Sequence, residues 1–121
     1  MTPNRMGDGS MNLVVLQGTL SSEPREQTLP SGSVVVNWEV TTRVDGVAKS
    51  VPVQWDDGSV RVRKFSSGDE VVVLGSIRRR FFRAGAATAS RTDVVAEEVA
   101  KPTQKAALTR LLGRAESVLA A

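Results

Sequence analysis

The fold turns on one stretch, 69-DEVVVLGSIRRRFF-82, and on a second that can pair back against it, 88-TASRTDVVAEEV-99. The first is the longest strand candidate in the chain, and Gly85 supplies the tip of a hairpin between the two. Within the first, four arginines and two phenylalanines fall between residues 78 and 83, although the whole chain has only five aromatic residues. Strand parity divides this cluster. Leu74, Ser76, Arg78, Arg80 and Phe82 share one face, while Val73, Gly75, Ile77, Arg79 and Phe81 share the other. The first face is the polar one, so Phe82 reads as an exposed ring between arginines and Phe81 as packing at the base of the hairpin or against a neighbouring subunit.

Working outward, 12-NLVVLQGTL-20 alternates as a strand, with Gly18 marking a bulge or a close backbone approach. The segment 21-SSEPREQTLPSGS-33 reads as a loop or a short ragged strand ending in a turn. In 34-VVVNWEVTTRV-44, Val34, Val36, Trp38 and Val40 face one side, and Asn37, Glu39, Thr41 and Arg43 the other. Asp45-Gly46 is a hairpin signal leading into 49-KSVPVQW-55, where Pro52 demands an edge or a bulge. The stretch 58-GSVRVRKFSSGD-69 fits either a strand or one or two helical turns. In the tail the period changes, and Leu108, Leu111, Leu112, Ala115 and Leu119 line one helical stripe. Covering the open end of a barrel is the expected role for that stripe, ahead of membrane binding or pairing between subunits. Five strands, a small interrupting element and a C-terminal helix predict an all-β protein, a five-stranded Greek-key barrel of the OB type. The expected organisation is a disordered leader over residues 1–11, the barrel over 12–100 and an amphipathic helical tail over 101–121.

At 121 residues the chain has room for one core. It contains neither cysteine nor histidine, which removes disulfides, thiolate chemistry and the commonest general base and metal ligand. Asp56–Asp57 and Asp69–Glu70 sit in turn-like sequence and read as solvated, so neither an enzyme nor a cofactor is expected. No apolar run is long enough to span a bilayer and the N-terminus lacks the apolar centre of a secretory signal, so a cytoplasmic setting is expected. The net charge of +3 is uneven: residues 61–91 carry 8 Lys/Arg against 2 Asp/Glu. A basic field interleaved with aromatics points to nucleic acid.

Four pieces in series carry a resemblance: NLVVLQGTLSSEP, LPSGSVVVNWEVTT, GDEVVVLGSIRRRFF and TDVVAEEV. In order and spacing, from about Asn12 to Val99, they resemble the bacterial single-stranded DNA-binding protein family. That resemblance implies an OB-fold that binds single-stranded DNA with little sequence preference, as a homotetramer or homodimer, in replication, repair or recombination. It places Phe82 at a stacking position, Arg78 and Arg80 at basic positions and Trp38 in the core. Trp55 is open between core, by parity, and base stacking, by proximity to a family stacking position. Arg43, Lys49 and Arg91 are candidate phosphate contacts. The family's acidic tail is replaced by a helix-like segment bearing Lys105, Arg110 and Arg114, so tail-mediated recruitment of proteins is not expected. Two alternatives stay open: a paralogue that assembles with another single-stranded DNA-binding protein, and a primosome-type or RNA-binding OB module.

Overall fold

The computed structural model describes residues 9–56 and 64–120. Its elements are β1 (Val14–Leu20), β2 (Arg25–Thr28), β3 (Val34–Val44), β4 (Val47–Trp55), β5 (Glu70–Ala84), β6 (Ala87–Ala100) and α1 (Lys105–Ala120). The first half of the segment expected to be a strand or a short helix, residues 58–63, lies outside the described residues, as do residues 1–8 of the expected leader.

The strand order is β1-β5-β6-β4-β3-β2, and a further β1–β3 pairing closes five of the strands into a barrel. β2 is the ragged extra strand, fully exposed and paired only to β3. All neighbours are antiparallel except β4 and β6, which run parallel through Val53↔Val94, Gln54↔Val95 and Trp55↔Ala96. This is the Greek-key OB barrel, with one C-terminal helix.

Gly18 is where the barrel closes. There β1 passes from β5 to β3, and a Cβ on Gly18 would collide with the Thr41 carbonyl. Gly75 plays the same part against the Val95 carbonyl, beside a register shift in the β5–β6 pairing that leaves Glu97 without a partner. Pro52 costs no ladder bond. The backbone of Glu39 opposite it bonds Ser21 and Ser22 instead, at 3.0 Å each, and the β4–β6 pairing begins one residue later, at Val53.

The barrel interior holds Leu20, Val36, Trp38, Val40, Val53, Trp55, Phe65, Val71, Val73, Val94 and Ala96. Val72 and Leu74, of opposite parity, are buried as well, under Leu111 and Ala115 of α1. The continuous run VVVL therefore belongs to a strand covered on both faces. Here an expectation is corrected: α1 lies on the outer surface of β5 and β6 rather than over the barrel's open end, because Val72 and Leu74 would otherwise face water. The buried stripe is Leu111, Ala115 and Val118, while Leu112 and Leu119 are exposed. Arg114 bonds Glu98 at 2.9 Å and Glu97 at 3.2 Å, and Arg110 reaches Glu98 at 3.5 Å, so these ion pairs flank the buried stripe. Among the described residues no helix is long and apolar enough to cross a membrane.

Candidate nucleic-acid interface

The parallel pairing of β4 and β6 decides the shape of the site. Each strand follows a hairpin tip, Asp45–Gly46 before β4 and Gly85–Ala86 before β6, with Asp45, Gly46 and Gly85 at positive φ. Because β4 and β6 run the same way, both tips lie at one end of the barrel. Val47 to Val53 and Ala87 to Val94 each reach roughly 20 Å beyond the shared register. Before Val53 and Val94 the two strands are paired only to β3 and β5 respectively, so the hairpins part as a two-armed fork. On the other edge of β5, Asn12 ends the barrel's ladder: its side-chain amide donates to the Ile77 carbonyl at 2.8 Å and accepts from the Ile77 N–H at 2.9 Å.

At the crotch of the fork lies a polar cluster. Asp93, 3% exposed, accepts from Arg78 Nε and Nη2 at 3.3 and 3.2 Å and from Arg80 Nη2 at 3.1 Å. Arg78 Nη2 also donates to Gln54 Oε1 at 2.9 Å, and Gln54 is 4% exposed. From there a chain of amides crosses the sheet, Gln54 to Asn37 at 3.0 Å and Asn37 to Gln27 at 2.7 Å. Bidentate capture of a guanidinium by a carboxylate fixes its plane as well as its position. The cluster thus holds two arginines at the root of the β5–β6 arm with their remaining donors toward solvent.

Beyond the crotch the arm is basic, with five arginines against one aspartate over residues 77–93. Arg80 stands directly opposite Arg91, a pairing of like charges that disfavours the empty arm and favours an anion bound across it. Phe82 lies on the same face, 49% exposed.

The structure separates the residues singled out from sequence. Arg78, Arg80, Phe82 and Arg91 come together on the outer face of one arm. Arg43 is on the outer face of the other, at the edge of a shallow groove of about 660 Å³ lined also by Gln17, Thr19, Thr41 and Glu70. Lys49, paired with Thr42, lies on the opposite face of that arm. Of the two readings open for Trp55 the core one holds and the stacking one does not: it is 2% exposed, its ring 5.6 Å from Trp38 and 6.2 Å from Phe65. Sharing a parity with Val53 against Ala96 of β6 puts it inside the barrel, where no base can reach it. Phe81 is 68% exposed, so among the described residues it does not pack at the base of the hairpin. Gln54 and Asp93 were not anticipated. The only sequence signal for them is a polar residue placed where each strand turns apolar, in PVQW and RTDVV.

No protein-family model matches the chain, and no curated protein matches it. Among solved structures, the fold is similar to that of the SSB of Plasmodium falciparum in complex with ssDNA. The TM-score is 0.66 at 19% sequence identity, over 79% of this chain and 98% of that one. Likeness at this identity speaks to the fold, and it agrees with the barrel closure described above.

Proposed function

We propose that the protein binds single-stranded DNA with little sequence preference along the outer face of the fork. Arg78, Arg80 and Arg91 contact phosphates, Phe82 stacks under a base, and Arg43 meets the strand further along. The observation that carries this reading is the β5–β6 arm: three arginines and an exposed ring on one face, with Arg80 and Arg91 opposed and no acid between them but the buried Asp93. Such a surface suits a polyanion with flat bases. The likeness in fold to an SSB solved with ssDNA supports it. Work on exposed strands during replication, repair or recombination is the corresponding role, and assembly into a homodimer or homotetramer belongs to the same reading.

The test is fluorescence polarisation of a labelled dT oligonucleotide over a range of salt. Affinity should fall linearly on a log-log plot, with a slope of about −0.7 per phosphate contact. No binding even at low salt would sink the proposal. Competition with a matched RNA oligomer separates DNA from RNA preference, and light scattering gives the assembly state.

A second reading, a paralogue that assembles with another single-stranded DNA-binding protein and binds little DNA itself, draws on Asp93 and Trp55. The carboxylate already occupies two of the arginines, and burial of the indole leaves one ring on the outer face. Tight binding by the purified protein alone would exclude it.

A further inference from the structure

The β5–β6 arm has a second face. Ile77, Arg79, Phe81 and Arg83 alternate along it on β5, opposite Val94, Thr92, Ser90 and Thr88 of β6. Between residues 77 and 92 this face carries no acidic side chain. The guanidinium of Arg79 lies over the Phe81 ring, 5.9 Å from its centroid, and neither Arg79 nor Arg83 has an ion pair among the described residues. The Phe81 ring is the more exposed of the two phenylalanines on the arm, 68% against 49%. Among the described residues nothing accounts for keeping it there: it closes no core, and the barrel interior ends below Ile77, itself 53% exposed.

Resting on the proposed function, we infer that this inner face is a second single-stranded nucleic-acid subsite, in which a base stacks on Phe81 and the flanking phosphates meet Arg79 and Arg83. The spacing is suitable, since residues two apart on one strand face stand about 7 Å from each other. The stacked base therefore has a cation to either side, and the hydroxyls of Thr88, Ser90 and Thr92 lie across the arm as further donors. The route between the faces is open. Past Ile77 and before Val94 neither edge of the arm is paired to another strand among the described residues. The tip, Ala84 to Ala87 around Gly85, presents no bulky side chain. One strand of DNA wraps the arm, bound first on the outer face by Arg78, Arg80, Arg91 and Phe82.

Two labelled dT oligomers test this, one of about 8 and one of about 40 nucleotides, chosen around the roughly 4–16 that one OB barrel engages. Phe82→Ala weakens both. Phe81→Ala weakens only the long one, by about 5- to 150-fold, and lowers the number of nucleotides occluded per protomer on poly(dT). Unchanged affinity of Phe81→Ala for both lengths, with wild type binding both, overturns the subsite and leaves the outer-face proposal standing. Loss of self-association in light scattering, with DNA binding intact, would assign the face to a second copy of the chain and equally overturn it. Wild-type protein that binds neither oligomer removes both proposals together.

Discussion

Residues 71–75 and 77–83 belong to one unbroken strand, yet they meet opposite surroundings. In the first half both faces of β5 are buried, Val71 and Val73 by the barrel and Val72 and Leu74 by α1. In the second half both faces are open, with arginine or phenylalanine at every position from 78 to 83. The backbone is extended throughout; what changes near Ile77 is that β1 and the helix stop, while β6 alone continues beside β5. A strand buried on both faces has no freedom in its side chains, because each fills a defined volume. A strand open on both faces can commit its side chains to a partner, and its free edges take no part in the core.

Four substitutions break or sharpen this contrast. The largest effect is expected from Leu74→Ala, which empties a fully buried site between sheet and helix and should lower unfolding free energy by about 2–5 kcal/mol in urea titrations. Under conditions where the variant is folded, its affinity for dT oligomer should be unchanged. Phe82→Ala is the converse, costing about 1–3 kcal/mol of binding while leaving stability within about 0.5 kcal/mol of wild type. An equal loss of stability in both variants would erase the division. Arg80→Ala should act more narrowly, reducing the log-log salt slope by about 0.7, as read from polarisation at several salt concentrations.

The smallest effect is expected where the strand begins. The Ser66 N–H donates to Asp69 Oδ2 at 2.9 Å, and with help from Lys101 at 3.3 Å this holds the half-buried carboxyl below its ordinary value. A depressed carboxylate contributes stability above the unfolded-state value, near pH 4, and loses it as pH falls through the folded one. Asp69→Asn should therefore lower the melting temperature slightly at neutral pH and flatten the acid-side slope in thermal melts below about pH 4, where the wild type has itself lost this contribution.

Alternation made much of this legible before any coordinates. Val36, Trp38 and Val40 read as inward and are inward; Asp45-Gly46 and Gly85 read as tips and are tips; Gly18 read as a close approach and meets the Thr41 carbonyl. Parity also placed Arg78, Arg80 and Phe82 together. It could not say which face of a strand finds cover beyond its own hairpin, since that depends on partners far away in sequence. Phe81 stays exposed because, among the described residues, no other strand or helix reaches as far as the arm. Trp55 is enclosed because β6, some forty residues later, lies beside it. Gln54 and Asp93 are buried by the same parallel pairing, a contact between segments with no pattern in common. The helix obeyed its period, but its buried stripe runs Leu111, Ala115, Val118 against β5 and β6, leaving Leu119 exposed.

Both tryptophans of the chain lie in the barrel core, 5.6 Å apart and closed off from solvent. The protein's intrinsic emission is accordingly a gauge of barrel integrity and has no direct view of a base on either face of the arm. A titration that quenched it would report disturbance of the core, and occupancy of the arm has to be followed through a dye on the oligonucleotide.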